Sequence, residues 1–221
     1  MKPRATFVLI AINIAAYLWE LSTGAPDSSR ALYADGALCK LCVTEDHEYW
    51  RIVTSAFLHG GLSHIALNMF ALLQIGGFLE SLIGSRRMLA IYVVAMLGGG
   101  FAVVAFGGST GLTIGASGAI FGLFGALIAI GLRMGSRGKA LISQTAPIIV
   151  INLIFTFAIP FISKEAHIGG LISGFIAGFI LAMGVRERQP VVTDTQTGET
   201  TEAEYIAPGD PNGPPHLTGV P

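Results

Sequence analysis

The sequence predicts an all-α membrane protein built on six transmembrane helices, with the N-terminus and C-terminus both cytoplasmic. Three observations lead there. Charged residues make up only 12% of the 221-residue chain, about half the roughly 25% of an ordinary soluble domain, and mean hydropathy is +0.66. Those charges are segregated, because residues 5–19, 52–79, 88–132, 140–163 and 166–185 carry none. The 29 glycines concentrate in the apolar stretches, where small residues let helices approach closely in lipid. The same arithmetic excludes other classes: a net charge of −1 leaves no basic face for a nucleic acid, and two cysteines are too few for a disulfide scaffold.

A charge at mid-bilayer costs about 2.5–3.5 kcal/mol on insertion scales, so stretches without charge locate the spans. A hydrocarbon core of roughly 30 Å needs about 20 helical residues. The 88–132 stretch is too long for one span, and the Gly107-Gly108-Ser109-Thr110-Gly111 run divides it. The six helices fall near 5–22, 62–82, 87–106, 115–132, 141–159 and 166–184. Lys2 and Arg4 ahead of a 15-residue apolar run also fit a signal peptide, but the other five spans need the same topology, so the first helix is read as a span. A cytoplasmic N-terminus puts nine Lys and Arg residues inside, against four (Arg30, Lys40, Arg51, Lys164) outside. The helical domain is therefore residues 1–188, with an acidic outer loop at about 23–61 expected to fold on the membrane surface. Residues 189–221, rich in Thr, Pro, Gly and acids, are expected to be a disordered cytoplasmic tail.

In this topology the second, fourth and sixth helices begin at the outer face, and their polar residues cluster there. The second opens with His64 and Asn68, four apart on one face; the fourth opens with Gly115-Ala116-Ser117-Gly118; the sixth opens with Ala166-His167. A lone serine in such a helix usually bonds its own i−4 carbonyl, and an asparagine is often interhelical glue. Three separate helices placing complementary chemistry at one depth is hard to assign to packing. Acyl transfer fits it. His167 could take the proton of Ser117, while the Asn68 amide, the His64 ring and the Ser117 N–H could stabilise an oxyanion near the positive end of the fourth helix. Glu165 points to another face than His167, which leaves a Ser-His dyad without an evident third member. Gly170, Gly174 and Gly178 form a small-residue strip on the His167 face, and Gly118, Gly122 and Gly125 a similar strip on the fourth helix, so the two backbones could close until histidine reaches serine.

These residues resemble the rhomboid family of intramembrane serine proteases over nearly all of 1–188. The resemblance runs through Trp50-Arg51, His59, His64-x-x-x-Asn68, Glu80, Gly115-Ala116-Ser117-Gly118 and Ala166-His167-x-x-Gly170-x-x-x-Gly174. It implies the six-helix rhomboid fold and cleavage of transmembrane protein substrates in the lipid bilayer, with Ser117 as nucleophile, His167 as general base and then acid, and His64 and Asn68 lining the oxyanion hole. It also implies that the Trp50-Arg51 loop lies partly in the membrane and that the fifth helix or the Phe161 loop gates substrate access. Some relatives carry, four residues after the serine, a tyrosine that stacks on the histidine; here it is Phe121, whose ring can still stack. No cofactor or metal is required, and the implied location is the cell membrane as a multi-pass protein.

Cys39-Lys40-Leu41-Cys42 falls outside that pattern. It could be a redox pair or, with Asp46, His47 or a second chain, part of a metal site, but a local disulfide or two loop thiols is the simpler reading. Two other classes compete: a non-enzymatic binder of membrane helices, opposed by intact Ser117 and His167, and a small transporter, opposed by the lack of internal repeats.

Overall fold

The computed structural model describes residues 3–109, 111–158, 162–181, 191–193 and 200–202. In the unit Met1–Met183 the helices are α1 (Arg4–Thr23), α2 (Ser29–Ala34), α3 (Lys40–Thr44), α4 (Arg51–Thr54), α5 (Leu62–Ile83), α6 (Ser85–Phe106), α7 (Ser117–Arg133), α8 (Ser136–Ala158) and α9 (Lys164–Leu181). Five of them, α1, α5, α6, α8 and α9, are long and apolar enough to cross a membrane. A shorter apolar helix, α7, has 17 residues, about 25 Å at 1.5 Å per residue. It is also the most enclosed: every residue from Gly118 to Gly131 except Ile128 is buried. Large apolar side chains face outward instead on the surrounding helices, including Phe7, Ile12, Phe70, Phe101, Ile154 and Ile172, as a lipid-facing surface demands.

Punctuation in the sequence sets the helix ends. Gly24 (φ 74°) terminates α1 in the left-handed conformation, its N–H donating to the Glu20 carbonyl. Ser28 caps α2 by accepting from the Ala31 N–H at 3.3 Å. At the other end of α1, the orphan N–H groups of Ala5 and Thr6 donate to the Glu80 carboxylate of α5 at 2.9 and 2.8 Å, and the Thr6 and Ser85 hydroxyls complete the set at 2.8 and 2.6 Å. A single buried acid thus ties α1, α5 and α6 together. Within α5 a π-turn at Leu72–Gly76 interrupts the α-helical ladder, and Gly76 sits against Thr6 there.

Glycine governs how α7 and α9 meet. A Cβ on Gly170 would run into the backbone of Gly118, and one on Gly174 into that of Gly122. At the third level Gly178 faces Ala126 rather than Gly125, which turns instead toward Leu171 and Phe175. On the other side of α9, Gly169 meets Gly98 and Ala102 of α6. Backbones this close leave no lateral play.

The 24–61 region is a folded cap, not an open loop. Arg51 is buried at its centre, donating to Glu48 at 2.6 Å and to the Tyr33 and Ala37 carbonyls at 2.7 and 3.0 Å, between the rings of Tyr33 and Trp50. Gly36, at φ 106°, is required beneath Trp50, since a Cβ there would lie 2.7 Å from the indole. Cys39 and Cys42 form a disulfide at the start of α3. Asp46 and Glu48 come close to Cys42, but its sulfur is already committed to Cys39, which removes the thiolate a metal would need. The Leu38 backbone pairs with Thr113, joining this cap to the segment that leads into α7.

The helix bounds differ from the sequence expectation by a few residues, with one larger change: α8 begins at Ser136, five residues before the expected 141. The chain can carry Lys139 within a first turn that a charge-free criterion cuts off. Residue 159, Phe161 and residues 182–184 lie outside the described residues. So does most of the expected tail. In the unit Gly184–Pro221, Val191–Thr193 pairs antiparallel with Thr200–Glu202, a local ladder that composition does not signal.

Candidate active site

Ser117 is the first residue of α7. Gly115 (φ 113°) and Ala116 turn the chain into the helix, and Ile120 N–H is the first to bond back, to the Ala116 carbonyl at 3.0 Å. The N–H groups of Ser117, Gly118 and Ala119 therefore precede the helical ladder and sit at its positive end. His167 lies in the first turn of α9 and is 6% exposed. The Gly118–Gly170 approach brings the two helix starts together, and His167 Nε2 rests 2.7 Å from Ser117 Oγ. The Phe121 ring stacks on the imidazole at 4.0 Å and 15°, from one turn below Ser117.

His64 closes the site from α5. A Cβ on Gly115 would lie 2.8 Å from His64 Nε2 and 3.7 Å from Ser117 Oγ, so both atoms border one small space that only glycine leaves open. His64 Nδ1 accepts the Gly60 N–H at 3.3 Å, which leaves Nε2 to carry the ring proton and face that space as a donor. Asn68 is buried on the same face, but one of its amide hydrogens is spent on the His64 carbonyl at 2.9 Å. Its second amide hydrogen is the one available to a ligand. Glu165 accepts from Ser163 at 3.2 Å and makes no bond to His167.

Three residues that sequence reasoning left without a role surround this cluster. Thr156 of α8, fully buried, has its hydroxyl 2.7 Å from His167 Nδ1. Glu20 of α1, also fully buried, accepts the His59 N–H with both carboxylate oxygens, at 2.9 and 3.2 Å. That anchors the loop ahead of His64, where the His59 ring meets the His64 ring edge-on at 5.1 Å. Burial, and then the neighbouring His64, pushes the His59 imidazole down to about 4, so it is neutral at physiological pH. The available signal was position: Thr156 is a hydroxyl near one end of a membrane-length helix, and Glu20 a carboxylate within one.

An enclosed apolar helix that opens on a serine, with a histidine delivered to it across a glycine seam, defines a class of helical membrane protein, and the chain belongs to it: the rhomboid family. Residues 46–184 match the Rhomboid domain. Rhomboid protease GluP of Bacillus subtilis (strain 168) is 37% identical over 183 residues, covering 82% of this chain and 36% of its own length. The mitochondrial RHOMBOID-like protein 6 of Arabidopsis thaliana is 36% identical over 159 residues, 71% of this chain and 51% of that relative. Inactive RHOMBOID-like protein 8 of the same plant is also 36% identical, over 66% of this chain and 42% of its own. The chain thus spans about a third to a half of the length of these relatives. Since the family includes a member named inactive, activity has to be argued from the residues themselves.

Proposed function

We propose that this protein is an intramembrane serine endopeptidase that cleaves single-span membrane proteins near the outer end of their transmembrane helix. The observation that carries the reading is the 2.7 Å contact between His167 Nε2 and Ser117 Oγ, made inside a bundle of membrane-length helices. A serine hydroxyl is a weak nucleophile until a base removes its proton. In the proposed reaction His167 Nε2 takes that proton as Oγ bonds to the scissile carbonyl carbon. The same nitrogen then protonates the departing amide nitrogen, leaving an acyl-enzyme that water resolves by the reverse proton path. The negative charge on the carbonyl oxygen falls in the space bordered by Gly115, where the His64 Nε2–H, the free Asn68 amide hydrogen and the Ser117 N–H are the candidate donors. The stacked Phe121 ring holds the imidazole plane without needing a hydroxyl.

In this reading α7 is the sixth span, short and enclosed by protein from Gly118 to Gly131 apart from Ile128, and the excess of Lys and Arg in the N-terminal, 84–87 and 133–139 segments supports a cytoplasmic location for both termini. The cleaved bond must leave its helix to be reached, since a helical peptide is shielded by its own i−4 bonds. Substrates with Gly, Pro or polar residues near the outer end of the span are therefore preferred; small residues at the cut follow from family resemblance. The test is cleavage of a panel of single-span substrates by the purified protein. Wild type cuts those with helix-weakening residues and slows when these become leucine, and Ser117→Ala cuts none at unchanged thermal stability. Cleavage by Ser117→Ala would end the serine-protease reading.

A further inference from the structure

The dyad has an unexplained end. His167 Nε2 faces Ser117, but a base there is useful only if Nε2 is the bare nitrogen and the ring proton sits on Nδ1. Solvent cannot hold that proton, because His167 is 6% exposed. Nor does a carboxylate, since Glu165 bonds elsewhere.

Resting on the dyad reading above, we propose that Thr156 of α8 is the positioning residue that fixes the tautomer of His167, filling with a hydroxyl the place a carboxylate holds in a Ser-His-Asp triad. Its Oγ1 lies 2.7 Å from His167 Nδ1 and 2.8 Å from the Asn152 carbonyl one turn back, and it is fully buried. A threonine hydroxyl has one hydrogen and two lone pairs, so only two arrangements exist. If it donates to Asn152, its lone pairs face Nδ1, the ring proton sits on Nδ1, and bare Nε2 accepts the Ser117 hydroxyl. All three short distances are then hydrogen bonds. If it donates to Nδ1 instead, Nε2 carries the proton, the Asn152 carbonyl loses its side-chain donor, and the Ser117 hydroxyl loses its acceptor. The first arrangement makes three hydrogen bonds where the second makes two, which favours the first.

The proton balance of the reaction is unchanged by Thr156. The Ser117 proton goes to Nε2 and on to the leaving nitrogen, while the Nδ1 proton stays on the ring throughout, bonded to Thr156 Oγ1. Threonine brings no charge, so it orients and stabilises the imidazolium less than an aspartate does. It also costs less to bury in a membrane.

The test compares Thr156→Val, which keeps the shape and removes the hydroxyl, with Thr156→Ser, which keeps the hydroxyl. Two readouts are taken on the full-length protein in bilayers: kcat and KM for one cleaved substrate, and the tautomer of His167 by nitrogen-15 NMR of histidine-labelled protein, assigned with His167→Ala. Wild type and Thr156→Ser are expected to show the Nδ1–H form and turnover within about twofold of each other. Thr156→Val is expected to lose that form and to drop kcat about tenfold to a hundredfold at unchanged KM. Wild-type kcat in Thr156→Val overturns the proposal, and so does a fall in kcat with the tautomer unmoved. Should the valine variant unfold, an Nε2–H form in wild type or a Thr156→Ser variant that has lost it overturns the proposal equally. Failure of the dyad itself reads differently, as cleavage surviving in Ser117→Ala.

Discussion

The α7–α9 seam and helix α8 are built on opposite principles. Along the seam backbone meets backbone, and Gly122, Gly170 and Gly174 leave no room for a single added methyl. Over the 141–158 part of α8, by contrast, only Ile149 and Thr156 are buried, Pro147 interrupts the helical bonding, and Val150, Ile151, Ile154, Phe155 and Phe157 face outward. The contrast teaches where precision resides. A nucleophile and its base must be held to a few tenths of an ångström, and glycine packing brings the two helices that close, with the His167–Ser117 contact at the head of the seam. A helix that only covers the site can be loosely seated and still place one hydroxyl.

The comparison breaks most visibly at the seam. Gly174→Leu forces a side chain into the Gly122 backbone, and overpacking of this kind costs roughly 3 kcal/mol or more; the expected result is a fall in melting temperature of about 6–12 °C with cleavage lost. Thermal unfolding followed by circular dichroism checks it. A stable, active Gly174→Leu would mean that the seam is wider than described. His64→Ala acts at the site without touching the seam. It removes one donor, so turnover is expected to fall about tenfold to a hundredfold while stability holds, read from kcat beside the same melting curve. Ile151→Ala on the outer face of α8 should do least: within about 0.5 kcal/mol in stability and twofold in turnover, because the side chain meets lipid in both folded and unfolded membrane states.

Much of this was legible in the sequence for physical reasons. Charge avoidance exposes apolar spans, and a glycine every fourth residue exposes a contact face; together they point to Gly170 and Gly174. Coincident depth then singles out Ser117, His64 and His167. What escaped has equally physical causes. Ala126, not Gly125, stands opposite Gly178, because the contact repeats at four residues and Gly125 is one residue out of phase. Thr156 was missed because polar residues were sought at the N-terminal ends of helices, and Thr156 lies near the C-terminal end of α8. Glu20 marked the edge of a charge-free stretch, yet its carboxylate is the anchor for the loop before His64. The π-turn at Leu72–Gly76 has no signature in residue type at all.

At the centre stands the claim that the glycine seam delivers His167 to Ser117 as a working base. The most direct measurement is reaction of the purified, folded protein with a fluorophosphonate, followed by mass spectrometry of its peptides. A single adduct on Ser117 is expected in the wild type, and none in His167→Ala at matched stability. An unlabelled Ser117 in folded wild type, or labelling undiminished in His167→Ala, would contradict it.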